Sequence, residues 1–131
     1  MYSVMIIDDD IMIRERLKNI IDWESLSLKL VAEAGDSDTA MELYLLHRPK
    51  IVISDILIPV VSGLELAETM RAEDPDLQFI IITGYNDFEW AKQSVRLGAI
   101  DLLSKPVLPE TINQSLRKAV DRFRSKQLKQ S

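Results

Sequence analysis

An α/β fold built around a parallel sheet is what this sequence predicts, and three observations carry the prediction. Five short apolar runs, SVMII, LKLVAEA, KIVIS, QFIII and IDLLS, alternate with longer segments whose apolar residues recur at helical spacing. KIVIS and QFIII have few polar breaks, as strands covered by helices on both faces should. Residues that start and stop helices fall between the runs.

Taken in order, the first run is followed by a helical face of Ile13, Leu17, Ile20 and Ile21, and the second by Ala40, Leu43 and Tyr44. Leu64, Ala67 and Met70 follow the third run, and Phe88, Ala91 and Val95 the fourth. Ile112, Leu116, Val120 and Phe123 follow the fifth. Ser62 with Glu65 and Asn86 with Glu89 each fit a capping box, in which a small polar side chain accepts from the third residue of the helix. Pro49, Pro75 and Gly98 stand where helices should stop.

Bulk properties narrow the function. At 131 residues and 47% hydrophobic, the chain suits one core and one domain. It has no cysteine, so disulfides and thiolate metal sites are excluded and a reducing cytoplasm is compatible. Its start lacks the basic region of an export signal, and Asp8, Asp55 or Thr83 cuts each apolar run well short of the roughly 18 residues of a membrane span. A soluble, cytoplasmic protein with no membrane association is expected. A net charge of -5 disfavours direct contact with a phosphate backbone, so no nucleic-acid contact by this segment is expected. Only the last stretch is basic: Arg117, Lys118, Arg122, Arg124, Lys126 and Lys129 stand against Asp121, which suits a solvated helix end or a link to a following domain.

In an open parallel sheet, ligands sit beyond the carboxyl ends of the strands. Asp8, Asp9 and Asp10 follow the first run, Asp55 the third, Thr83 the fourth and Lys105 the fifth. If the first and third strands are neighbours, Asp55 meets Asp8 and Asp9 at one edge. Two carboxylates about 4 Å apart repel by roughly 4 kcal/mol at an effective dielectric of 20, so something positive must offset them. Lys105 is one candidate and a hard divalent cation another. Oxygen ligands alone favour magnesium over zinc. The plainer reading of the triple Asp is a turn in which Asp10 caps the first helix.

These residues resemble the receiver (CheY-like) domains of two-component response regulators. The motifs are the acids of IIDDD, the acceptor of SDILIP, the hydroxyl of IITGY and the lysine-proline of SKP, in the family's order, and the resemblance covers essentially the whole chain. IDWESLSLKLVAEAGD and TGYNDFEWAKQSVRLGAIDLLSKPV look most like receivers that precede an AraC-type DNA-binding domain. The resemblance implies a flavodoxin-like, doubly wound (βα)5 fold with strand order 2-1-3-4-5. It implies a receiver over residues 1–124, with 125–131 beginning a linker or tail.

By resemblance, Asp55 accepts a phosphoryl group from a sensor histidine kinase. Magnesium would be held by Asp8, Asp9, Asp55 and the carbonyl of Leu57. Thr83 and Lys105 would complete the catalytic set, with a cis peptide between Lys105 and Pro106. No enzymatic turnover beyond self-phosphorylation and self-dephosphorylation is implied. Signalling would run through the fourth helix, fifth strand and fifth helix, roughly residues 86–127, to a phosphorylation-dependent homodimer and to a C-terminal DNA-binding domain.

The sequence departs from the family at several points. Leu102 stands where an aromatic usually partners the hydroxyl switch, so Thr83, Leu102 and Tyr85 form the expected switch set, with Tyr85 as a substitute aromatic. In PVVSG, Ser62 replaces the usual acid before the glycine. Leu57 and Tyr85 occupy positions that influence the hydrolytic water, and their bulk suggests a long-lived phosphoaspartate.

Three other readings compete. A haloacid-dehalogenase-like phosphatase needs a second acid at the position of Leu57, and a flavodoxin-like cofactor binder needs a first loop that DDDIM, by its charge, does not provide. A degenerate receiver acting as a phosphorylation-independent interaction module is the third. His47 and Arg14 are expected at the surface, Arg14 in an ion pair, and Trp23 and Trp90 in packing or partner contact.

Overall fold

A computed structural model describes residues 1–84, 93, 98 and 101–130. The described elements are β1 (Tyr2–Ile7), α1 (Ile11–Ile20), β2 (Leu28–Ala34), α2 (Ser37–His47), β3 (Ile51–Asp55), α3 (Gly63–Glu73), β4 (Gln78–Thr83), β5 (Asp101–Ser104) and α4 (Pro109–Gln130). Here α4 is the fifth helical segment of the sequence reading. The fourth, with Asn86, Phe88, Glu89, Trp90, Ala91 and Val95, lies outside the described residues.

All five strands are parallel, in the order β2-β1-β3-β4-β5. The chain therefore reverses its direction of progress between β1 and β3, and those two strands are hydrogen-bonded neighbours with Ile7 opposite Ser54. The adjacency on which the acid cluster depends is thus present.

Period-two alternation divides the sheet residues between two cores. Val4 and Ile6, Ile51 and Ile53, Ile80 and Ile82, and Leu103 face α1 and α4, where Leu17, Ile21, Ile112, Leu116 and Val120 cover them. Met5 and Ile7, Val52, Phe79 and Ile81 face α2 and α3, against Ala40, Tyr44, Leu64, Ala67 and Met70. Most are fully buried, and each such large side chain contributes roughly 1.5–3 kcal/mol relative to an exposed one. This two-sided burial explains why KIVIS and QFIII show little alternation: both faces of β3 and β4 are interior.

At the edge strand β2 a bulge breaks the alternation. Val4 pairs with Leu30 but Met5 pairs with Ala32, so Val31 is an extra residue. Leu28 and Leu30 accordingly belong to the α1 side, whereas Ala32 and Ala34 belong to the α2 side. Glu33 is thereby turned towards α1, where Arg14 and Lys18 meet it.

Caps set the helix boundaries. Asp10, Asp36 and Ser62 accept from the backbone N–H groups of Met12, Thr39 and Glu65. Arg48 closes α2 in the left-handed conformation just before Pro49, and Asp74 closes α3 just before Pro75. Gly98 has a φ of +72°, the left-handed backbone that glycine tolerates.

α4 runs unbroken past residue 124 to Gln130. Its later turns still touch the domain: Phe123 stacks on Tyr2 at 5.2 Å, the Tyr2 hydroxyl donates to Gln127, and Lys126 pairs with Asp76. Trp23 is half-buried against the α1 side of the sheet, its indole N–H donating to the Lys18 carbonyl, while His47 ends α2 exposed. Among the described residues, no helix is long and apolar enough to cross a membrane.

Candidate functional site

The parallel sheet brings together side chains that are far apart in sequence. Asp8 directly follows β1, Asp55 ends β3, Thr83 ends β4 and Lys105 directly follows β5, all at the carboxyl edge. Because Ile7 pairs with Ser54, the next residue on each strand, Asp8 and Asp55, emerges side by side. Oxygens of Asp8, Asp9 and Asp55 lie within 4.8 Å of one another. Asp8 and Asp55 are buried and Asp9 is exposed, so the group opens to solvent on one side.

Lys105 reaches over this group. Its Nζ donates to Asp55 Oδ2 at 2.7 Å and lies 3.3 Å from Asp8 Oδ2. The backbone N–H of Lys105 donates to the Thr83 carbonyl, and a cis peptide joins Lys105 to Pro106. The other oxygen of Asp55 accepts from the Leu57 N–H at 3.2 Å, and Asp8 Oδ1 accepts from the Asp10 N–H at 2.9 Å. Asp8 Oδ2 is buried with an ion-pair neighbour but no hydrogen bond. Buried polar atoms are nearly always bonded, so this oxygen marks a place for a further positive group.

Electrostatics agree with that reading. Burial pushes the Asp8 carboxyl above its ordinary range, and the charge of Asp55 adds to the rise. The Asp10 N–H and Lys105 oppose it without cancelling it. For Lys105 burial alone would lower the pKa, yet the hydrogen bond to Asp55 and the charges of Asp55 and Asp8 carry it above the usual lysine value. Among the described residues, three carboxylates face one ammonium, leaving negative charge uncompensated. The oxygen-only donor set and the orphaned Asp8 Oδ2 fit a hard divalent cation such as magnesium.

Two structural positions hold the pocket in shape. A Cβ on Gly63 would stand 2.2 Å from the Asp55 carbonyl oxygen, so only glycine lets α3 start against the end of β3. Its N–H donates to the Ile56 carbonyl. Val60, in the loop between them, has a φ of +82°, a strained conformation for a β-branched residue. Ser37, the first residue of α2, ties that loop down: its N–H donates to the Pro59 carbonyl and its Oγ accepts from the Val61 N–H.

Of the expected site residues, Asp8, Asp9, Asp55 and Lys105 converge, and Thr83 is buried at the same sheet edge. Asp10 also caps α1, so the plainer reading of the third acid holds alongside the cluster. Leu57 is 43% exposed beside Asp55. Leu102 is half-buried against the α2 side of the sheet, and Tyr85 lies outside the described residues.

One expectation requires correction. Arg14 is not a surface residue: its side chain is 17% exposed, and besides pairing with Glu33 it donates to the Asp8 carbonyl. Nothing local in the sequence signals this, because the direction of Glu33 depends on the bulge at Val31.

Comparison with known proteins gives the same picture. The family model described as the response regulator receiver domain matches residues 4–117. The transcriptional regulatory protein YesN of Bacillus subtilis is 35% identical over 120 residues, which are 92% of this chain and 33% of YesN. The transcriptional regulatory protein HptR of Staphylococcus aureus is 36% identical over 107 residues, 82% of this chain and 42% of HptR. The chain thus spans between a third and a half of these relatives.

Among solved structures, the REC domain of AraT, a response regulator from Geobacillus stearothermophilus, superposes with a TM-score of 0.90 at 35% identity, covering 96% of this chain and 98% of that one. A two-component transcriptional regulator AraC from Clostridium phytofermentans gives 0.85 at 28% identity, covering 98% and 99%. A sheet ordered β2-β1-β3-β4-β5, an acid cluster capped by Lys105 and a family match over most of the chain lead to one assignment: this chain belongs to the response regulator receiver domain family.

Proposed function

We propose that this receiver accepts a phosphoryl group on Asp55 from a phosphohistidine of a sensor histidine kinase, and that Asp8, Asp9, Asp55 and the Leu57 carbonyl hold magnesium for the transfer. The observation that carries this reading is the Lys105 ammonium, 2.7 Å from Asp55 and 3.3 Å from an Asp8 oxygen that has no hydrogen bond. In the transfer a carboxylate oxygen of Asp55 forms the new P–O bond as the P–N bond to histidine breaks, and the imidazole leaves with its electron pair. Phosphoryl transfer asks little covalent chemistry of a protein; positioning and charge neutralisation do most of the work. Bound magnesium supplies positive charge to the acids and to the transferring oxygens.

The chain's own residues do the rest. Burial of Asp55 and its bonds to Lys105 and Leu57 fix its orientation. Lys105 and Thr83 then face the new phosphate oxygens, and the added charge draws them towards Asp55. Leu57 is 43% exposed beside Asp55, and its bulk with that of Tyr85 supports a slow attack by water and a long-lived phosphoaspartate.

The readout runs from this edge through residues 86–127 to a phosphorylation-dependent homodimer and a C-terminal DNA-binding domain of the AraC type. The names of YesN, HptR and the Clostridium regulator support a transcriptional output. The protein acts as a cytoplasmic regulator rather than a turnover enzyme.

Incubation with acetyl phosphate and magnesium, followed by mass spectrometry, tests the reading. One added phosphoryl group on the peptide containing Asp55, lost with chelator or with Asp55→Asn, is the expected result. No adduct under any condition points instead to a phosphorylation-independent interaction module.

A further inference from the structure

Arg14 is not one of the acids, yet it grips their backbone. Its Nη1 donates to the Asp8 carbonyl oxygen at 2.6 Å, and its Nε donates to Glu33 Oε1 at 3.3 Å. The Asp8 carbonyl belongs to the peptide plane that joins Asp8 to Asp9. Rotating that plane changes ψ of Asp8 and φ of Asp9 together, and with them the directions in which the two carboxylates leave the chain. A guanidinium held on that carbonyl therefore fixes the angle between two of the three acids.

The grip is built from several elements. Asp8 is tied to β2 on its other side, its N–H donating to the Ala34 carbonyl. Glu33 is reachable from α1 because the extra residue Val31 reverses the facing of β2, and Lys18 also holds it at 2.9 Å. Gly35 lies alongside: a Cβ there would stand 3.4 Å from Arg14 Nη1, an ordinary van der Waals contact. The Arg14 side chain is 17% exposed, and charge-assisted hydrogen bonds are the stronger kind.

We infer that Arg14, oriented by Glu33, is a positioning residue for the divalent-cation site, acting through the Asp8–Asp9 peptide and not through its charge. The inference rests on the magnesium reading above and adds a residue to it. Its sign makes it testable. A guanidinium near a cation repels it, so an influence through charge alone predicts that removing Arg14 tightens magnesium binding. Positioning predicts the reverse. A merely structural role predicts a lower melting temperature with unchanged affinity in the folded protein.

The experiment is calorimetric titration of magnesium chloride into the unaltered chain, Arg14→Gln, Arg14→Lys, Glu33→Gln and the Arg14→Gln/Glu33→Gln pair. Each is held well below its melting temperature and checked for folding by circular dichroism. Arg14→Gln should bind about tenfold more weakly, as loss of a group that orients metal ligands commonly does. Glu33→Gln should weaken binding less, Arg14→Lys should recover part of the loss, and the double variant should be no worse than Arg14→Gln. Should Arg14→Gln fail to fold, Arg14→Lys, which keeps the charge and loses the guanidinium fork, should still bind more weakly than the unaltered chain. Unchanged or tighter binding in the folded variants overturns the inference. Absence of magnesium binding by the unaltered chain overturns the cation reading itself, an outcome distinct from the variants' failure.

Discussion

The two ends of the sheet hold the same kind of ion pair in different surroundings. At the carboxyl edge Lys105 meets Asp55 and Asp8, whose side chains are 9% and 2% exposed. At the opposite edge Lys126 meets Asp76, with both side chains about half exposed. Water screens the second pair and makes it nearly dispensable. The first pair has been taken out of water at a cost that its partners only partly return, which leaves Asp8 Oδ2 without a hydrogen bond. A fold optimised for stability alone would fill that edge with apolar side chains, so the contrast separates an end that carries buried, poorly compensated charge from an end that ties the helices down.

Breaking the carboxyl edge should have the largest effect. Gly63→Ala forces the start of α3 away from Asp55 and should cost about 3 kcal/mol in urea unfolding, since the colliding atom is backbone. Lys105→Met strands two buried carboxylates. Removing one member of a buried pair costs several kcal/mol; the partial exposure of Lys105 reduces the expectation to about 2 kcal/mol. Magnesium should restore much of this stability, which denaturation with and without the ion will read.

The pH dependence sharpens the contrast. Burial raises the Asp8 pKa in the folded protein, so the fold holds that proton more tightly than the unfolded chain does. The resulting stabilisation is full below the ordinary value of 3.8 and is lost as pH rises through the raised one. Metal-free protein should therefore lose stability across that interval, and Asp8→Asn should flatten the curve. Lys126→Ala should produce the smallest effect, within about 0.5 kcal/mol. If it destabilises as much as Lys105→Met, burial is not what distinguishes the two edges.

Most of the architecture was legible because it follows from apolar periodicity. Strand limits agree to within one residue, and the caps at Ser62, Asp10 and the stops before Pro49 and Pro75 follow from local chemistry. The convergence of Asp8, Asp9, Asp55 and Lys105 was legible because strand ends in a parallel sheet share one edge. The roles of Arg14 and Glu33 were not. LKLVAEA carries no mark of the extra residue at Val31, and pairing with β1 decides which face Glu33 takes. The close approach at Gly63 was hidden for a related reason, since it depends on where α3 lands against β3.

The loop after Asp55 is a sprung catch. Valine at position 60 resists the left-handed turn it has been given, by roughly 1–2 kcal/mol, and Ser37 is the keeper that stops it relaxing. Any rearrangement beside Asp55 must either slip that keeper or drag the first turn of α2 with it, so the end of β3 and the start of that helix are geared together.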